Sequence, residues 1–209
     1  MGRVINIGSS ADFTGAIERA GDVLRKGGLV AYPTESFYGL AADATNSEAV
    51  ERLFAVKKRG TDRPVLILIP SADLLERYVT DIPDVAAGLI ERFWPGGLTL
   101  VFSAGREVLQ VLTAGTGRIG IRLSSHPVAT ALAGSLGAPI TGTSANISGS
   151  PSCSSAEEVA LCLEDKVDLI LDGGKTEGKT GSTVLDVTVS PPLILREGMV
   201  MREHLEDFL

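Results

Sequence analysis

Arg118-Ile119-Gly120-Ile121-Arg122-Leu123-Ser124-Ser125-His126-Pro127-Val128-Ala129, followed at a short remove by Ile140-Thr141-Gly142-Thr143-Ser144-Ala145-Asn146, decides the fold class. Ile119, Ile121 and Leu123 alternate with Arg118, Gly120 and Arg122, which predicts a strand with one apolar and one polar face. Pro127 suits the first turn of a helix, where its missing N–H would have no partner in any case, and the apolar pattern carries that helix to about Leu136. Ile140 then opens a second strand, which runs into a polar loop over residues 143–152. Strand, helix and strand in one short stretch is the unit from which α/β sheets are built.

The same alternation extends in both directions. Phe13, Ile17, Ala20, Val23 and Leu24 recur at helical spacing, and Gly27-Gly28 ends that helix. Residues 29–32 read as a buried strand stopped by Pro33. Thr45 and Glu48 have capping-box spacing ahead of a helix carrying Val50, Leu53 and Phe54. Residues 65–69 and 98–102 read as strands. Residues 85–93 read as a helix broken by Trp94-Pro95-Gly96-Gly97. Ser155 and Glu158 form a second capping box, and strands are expected at 168–172, 182–187 and 193–196. The expectation is an α/β fold with a mixed sheet and flanking helices. It forms one domain over residues 1–209, because no Pro- or Ser-rich linker divides the chain.

A chain of 209 residues buries a sizeable core without disulfides or metals. No apolar run approaches the roughly 20 residues of a membrane span, and the first residues lack a signal-peptide pattern. The two cysteines, Cys153 and Cys162, make no metal or disulfide framework. Cys162 reads as a small core hydrophobe and Cys153 lies in a polar loop that can expose it; both suit a reducing compartment. The formal charge of −7 argues against tight nonspecific nucleic-acid binding. An anion site must therefore be a local basic cluster.

Five segments carry polar chemistry. Tyr32-Pro33-Thr34-Glu35-Ser36 presents hydroxyl, carboxylate and hydroxyl at a strand end, suited to a small polar ligand or to an ordinary turn. Lys57-Lys58-Arg59-Gly60-Thr61-Asp62-Arg63 gathers four cations at a helix end. It reads either as a solvated dipole partner or as a phosphate clamp, and its cationic excess in an acidic chain favours the clamp. Residues 140–152 are rich in hydroxyls and small side chains that let backbone N–H groups approach an anion. Gly173-Gly174-Lys175-Thr176-Glu177-Gly178-Lys179-Thr180 has P-loop spacing but leads into a predicted strand, whereas a P-loop opens a helix, so Lys175 and Lys179 read as loop cations. Arg196 stands at a strand end before Glu197, and Arg122 lies on the polar face of its strand. Neither His126 nor His204 joins a set with metal-ligand spacing or a catalytic triad.

Taken in order, Tyr32-Pro33-Thr34-Glu35-Ser36, Lys57-x-Arg59, Phe93-Trp94-Pro95-Gly96-Gly97-Leu98-Thr99, Ile121-Arg122-Leu123, His126-Pro127, Ser144-x-Asn146, Asp172-Gly173-Gly174, Ser182-Thr183-Val184 and Leu195-Arg196-Glu197-Gly198 resemble the threonylcarbamoyl-AMP synthase family, whose domain is called YrdC-like. The resemblance covers nearly the whole chain and rests on the joint order of motifs that are individually weak. It implies a twisted, mixed, open sheet with flanking helices and a concave basic cleft. It implies a nucleotidyltransferase that makes threonylcarbamoyl-AMP and pyrophosphate from L-threonine, bicarbonate and ATP, with Mg²⁺ carried by the nucleotide and no tightly bound metal. By similarity, Lys57 and Arg59 are catalytic; Lys57, Arg59, Arg63, Ser144, Asn146, Ser152 and Arg196 bind ATP; Thr34, Ser36, Arg122 and Ser182 surround the threonine. Leu68 stands where some members have histidine, a departure on the threonine side. The family's longer members carry a further C-terminal domain, so the expectation here is the short form. The resemblance also implies a cytoplasmic protein that passes its product to a separate tRNA threonylcarbamoyl-transferase complex, with weak tRNA contact and no membrane. The alternatives are an RNA-binding paralogue without synthase activity and a carbamoyl-phosphate-dependent enzyme. The paired Lys-x-Arg and Ser-x-Asn motifs argue against the first. The chain length and cysteine count argue against the second.

Overall fold

The computed structural model describes residues 3–8, 10–177 and 180–209; Gly178 and Lys179, part of the segment with P-loop spacing, lie outside them. In chain order the elements are β1 (Arg3–Asn6), α1 (Ser10–Arg25), β2 (Val30–Pro33), β3 (Tyr38–Ala41), α2 (Ser47–Lys57), β4 (Leu66–Leu68), α3 (Leu75–Tyr78), α4 (Asp84–Phe93), β5 (Leu98–Ser103), α5 (Gln110–Thr113), β6 (Arg118–Arg122), α6 (Pro127–Leu136), β7 (Ile140–Ser144), α7 (Ala156–Leu163), β8 (Leu169–Asp172), β9 (Thr183–Asp186) and β10 (Leu193–Arg196). The strands form one mixed sheet in the order β1-β8-β2-β3-β7-β4-β6-β5-β9-β10. Parallel ladders join β1 to β8, β2 to β8, β4 to β6 and β5 to β9, and the other neighbours run antiparallel.

The two faces of the sheet are covered unequally. On one face Ala31, Leu40, Ile67, Leu100, Ile119, Ile121 and Leu185 pack with α2, α4 and α7 in a core that runs the breadth of the sheet. On the other, Ala16, Ile17, Ala20 and Leu24 of α1 join Val128, Ala129, Leu132 and Ala133 of α6 over Val30, Tyr32, Leu68, Ile140 and Leu169. That second core takes no residue from β5, β6, β9 or β10. The polar side of β6 read from the alternation therefore faces a part of the sheet that α1 and α6 do not reach. Cavities open where this helix layer stops.

Local sequence accounts for most element ends. Pro127 is the first residue of α6, and the His126 Nδ1 accepts from the Val128 N–H as its cap. Ser155 Oγ accepts from the Glu158 N–H as expected, but the Glu158 carboxylate closes onto the Ser154 N–H, one residue upstream of the predicted partner. The predicted Thr45 cap is corrected: α2 begins at Ser47, so Asn46 stands at the cap position and accepts from the Ala49 N–H, while Thr45 belongs to the preceding turn and donates to Asp43. Pro33 does not stop β2 but pairs with Tyr38, and β3 forms over Tyr38–Ala41, a stretch for which no strand is read from the sequence. β1 was not anticipated either; only Ile7, just beyond its end, enters the buried core. Cys153 is also corrected: it is 4% exposed, within the main core, because its loop folds under β3 and its carbonyl accepts from the Tyr38 N–H. Burial pushes its thiol up to about 12.

Candidate functional site

A cavity of about 330 Å³ lies at the edge of the α1–α6 layer, lined by side chains from the β2–β3 connection, the segment after α2, β6, β7 and the β9–β10 hairpin. Each part is shaped by an identifiable local device. In the β2–β3 connection, Thr34 Oγ1 donates to the Phe37 carbonyl at 2.7 Å and accepts from the Ser36 N–H at 3.2 Å. This hydroxyl-closed turn holds Thr34 and Ser36 buried on the cavity wall, with Glu35 between them directed elsewhere.

The cationic segment is organised by the end of α2. Lys58 adopts a left-handed conformation with φ 49°, its N–H bonding to the Ala55 carbonyl, while the Arg59 N–H bonds to the Phe54 carbonyl. This paired closure ends a helix and reverses the chain. A left-handed lysine where glycine would be unstrained marks a backbone held by its surroundings. The reversal sends neighbouring cations different ways. Lys57 points inward, 1% exposed, and its Nζ donates to the carbonyls of Ser144 and Asn146 and to Asn146 Oδ1. Burial, and then the nearby Arg59 charge, lower its pKa to about 8. Arg59 instead reaches the cavity, with Nη2 donating to the Pro64 carbonyl at 2.8 Å. Its pKa is lowered by burial and then by Arg63. Arg63 is exposed and stands off the cavity wall.

On the opposite side, Arg122 is buried and donates from Nη1 to Glu35 Oε1 at 2.7 Å. Arg196 donates to the Ser182 carbonyl at 2.8 Å and to Ser182 Oγ at 3.2 Å, not to its chain neighbour Glu197. Its pKa is lowered by burial and then by the charge of Arg122. Ser182 Oγ lies 2.8 Å from Thr99 Oγ1. The Ser144–Asn146 loop is fixed from below by Lys57 and across by Asn146 Nδ2, which donates to the Ser150 carbonyl at 2.6 Å. Two lining glycines leave room that a side chain would take: a Cβ on Gly142 would collide with the Leu66 side chain, and one on Gly39 with the Tyr32 ring.

Of the residues named from the sequence, Thr34, Ser36, Arg59, Arg122, Ser144, Ser152, Ser182 and Arg196 converge on this one cavity. Lys57, Asn146 and Arg63 do not line it; the first two hold the loop that does. Leu68, where a histidine was noted as absent, is buried in the α1–α6 core. Sequence reasoning did not assign a role to Glu35 or to Ser124, whose Oγ donates to Glu35 Oε2 at 2.7 Å. A charged residue flanked by two wall hydroxyls was the available signal. Among the described residues, three arginines and eight hydroxyl side chains line the cavity, with no carboxylate beside them, which suits an anionic ligand with further polar groups. Among the described residues, no group of three or more His, Cys, Asp or Glu side chains is arranged to hold a metal ion, and no helix is long and apolar enough to cross a membrane.

The family model for Sua5, YciO and YrdC proteins, described as "Telomere recombination", matches residues 22–198. The threonylcarbamoyl-AMP synthase of Pyrococcus abyssi is 43% identical over 193 residues, covering 92% of this chain and 57% of the relative, so the chain spans little more than half of that protein's length. The crystal structure of P. abyssi Sua5 complexed with L-threonine superposes with a TM-score of 0.95 at 40% identity, covering 99% of this chain and 60% of that one. E. coli YciO superposes with a TM-score of 0.88 at 31% identity, over the full length of both chains. On the extent of the family match and these identities, the chain belongs to the Sua5/YciO/YrdC family.

Proposed function

We propose that the chain, acting as one YrdC-like domain over residues 1–209, is an L-threonylcarbamoyladenylate synthase, a nucleotidyltransferase that uses L-threonine, bicarbonate and ATP. The observation that carries this reading is the convergence of Arg59, Arg122 and Arg196 with Thr34, Ser36, Ser144, Ser152 and Ser182 on one cavity free of lining carboxylates. A similar protein has been crystallised with L-threonine, which supports the amino acid as one substrate.

The reaction needs no nucleophilic side chain. The threonine amine adds to CO₂ from bicarbonate and loses a proton, giving N-carboxy-threonine. The new carboxylate attacks the α-phosphorus of ATP, the bond to the β-phosphate oxygen breaks, and pyrophosphate leaves. The protein contributes position and charge. Arg59, with Arg63 at the rim, faces the phosphates, and Ser144, Ser152 and Arg196 hold the remainder of the nucleotide. Lys57 and Asn146 serve the same end by fixing the Ser144 loop from beneath. Thr34, Ser36, Arg122 and Ser182 surround the threonine, with Arg122 paired to its carboxylate. Mg²⁺ travels with the nucleotide and neutralises phosphate charge. A cytoplasmic setting and a downstream tRNA threonylcarbamoyl-transferase complex complete the proposal.

The test is pyrophosphate release from ATP and Mg²⁺, with threonine and bicarbonate each omitted in turn. Release that needs both supports the synthase; release indifferent to threonine, or none from a protein that binds ATP, overturns it.

A further inference from the structure

We propose that Glu35 is a positioning residue, whose carboxylate holds the Arg122 guanidinium in the orientation that receives the amino-acid substrate. This rests on the synthase reading and adds to it a residue that does not itself line the cavity.

Both oxygens of Glu35 are engaged. Oε1 accepts from Arg122 Nη1 and Oε2 from Ser124 Oγ, each at 2.7 Å, and the Ser124 hydroxyl in turn accepts from the His126 N–H at 3.2 Å. One carboxylate thus ties the turn that carries Thr34 and Ser36 to the end of β6 and the start of α6. The side chains of Arg122 and Glu35 are 7% and 12% exposed. Removing two charges from water is costly, so a buried pair is poor evidence of a stability device; fixing one geometry is its better-attested use. The geometry fixed here is incomplete by itself. Arg122 Nε is buried and has no acceptor among the described residues. Native proteins rarely leave such a donor orphaned without a functional cause. Arg122 lines the cavity, and a guanidinium there with one Nη committed to Glu35 and its Nε–H unpaired is prepared for one more anionic group.

Charge points the same way. Arg122 lies near enough to Arg196 to disfavour the latter's protonated form. Without Glu35 the charge of Arg122 would stand near that of Arg196 with no carboxylate to compensate it, and Arg122, a long side chain, would turn away. Glu35 is poorly placed to take a proton from the substrate amine, since donors already occupy both oxygens. Its effect is exerted through Arg122.

Glu35→Gln and Glu35→Ala test this, with L-threonine and ATP binding measured separately by calorimetry on the full chain. Removing one partner of a buried hydrogen-bonded charge pair weakens the interactions of the other by about 30-fold or more. Glu35→Ala is therefore expected to raise the Kd for threonine by that factor while ATP binding stays within about twofold. Glu35→Gln, which keeps the shape and loses the charge, falls between. Added formate should restore threonine binding to Glu35→Ala and leave the wild type unchanged, an effect that a merely structural role would not give. Wild-type threonine affinity in both variants overturns the proposal, as does equal loss of ATP and threonine binding without formate rescue. A wild-type protein that does not bind threonine overturns the synthase reading beneath it, and the two failures are told apart by that control.

Discussion

Arg118 and Arg122 stand four residues apart on β6, on the same side of the sheet, yet they sit in different chemistry. The Arg118 side chain is 47% exposed and donates to Asp186 at 2.7 Å, at the edge of a broad second cavity of about 580 Å³ whose walls are largely apolar, with Leu66, Val101, Val184 and Leu195. The Arg122 side chain is 7% exposed, and hydroxyls and two further arginines surround it. The half-exposed arginine is screened by water, and its pair contributes little to binding an anion. The buried one lies in a low-dielectric wall where each charge acts at greater strength. What separates them is Glu35 of the β2–β3 turn, which reaches Arg122 at one end of β6 and is itself held by Ser124, while Arg118 at the other end stays half open to solvent.

The largest effect should come from the cavity arginine that is bonded only to carbonyls. Arg59→Ala is expected to lower threonine-dependent pyrophosphate release by about 10²–10³-fold, with the far-ultraviolet circular dichroism unchanged. Turnover within a few-fold of wild type would remove Arg59 from the phosphate side. The direct contest within β6 comes next. Arg122→Ala should lower kcat/KM for threonine by about 10²-fold, whereas Arg118→Ala should alter it by no more than about twofold. Comparable losses in both would mean that position on the strand, rather than burial, sets the role.

The smallest effect sharpens the comparison from the side of burial. Lys57, like Arg122, is a buried cation, but its acceptors are carbonyls instead of a carboxylate. Burial lowers its pKa from 10.5 to about 8. Because the folded value lies below the unfolded one, the unfolded chain binds the extra proton between these values. Stability from this group therefore rises as pH goes from about 8 to 10.5 and is lowest below 8. Lysine-selective NMR, with Lys57→Met to assign the resonance, should show a midpoint near 8; a midpoint near 10.5 would mean that the three oxygens hold the proton against desolvation.

Much of the scaffold was legible in the chain. The alternation over residues 118–123 and Pro127 gave β6 and α6 nearly to the residue. Tyr38–Ala41 was not legible as a strand. Its residues are apolar on both faces and follow a polar turn, so no alternation marks it, and only pairing with β2 and β7 makes it one. The Asn46 cap was missed because Thr45 offers the same chemistry one residue earlier; a local turn, in which the Thr45 N–H and hydroxyl both donate to Asp43, places Thr45 outside the helix start.

For the site, the types and order of residues were determined by the sequence alone: hydroxyls at a strand end, cations after a helix, an amide and serines after β7, arginines on β6 and β10. These are local facts, fixed by propensity, spacing and chain direction. Which of them share a cavity was decided only by the tertiary structure. Lys57 and Arg59 are two residues apart, and the left-handed turn at Lys58 sends one under the Ser144 loop and the other to the wall. Glu35 and Arg122 are distant in sequence, and only the sheet brings them to 2.7 Å. Burial and pairing depend on what covers a side chain, and that depends on strand order, which no local pattern encodes.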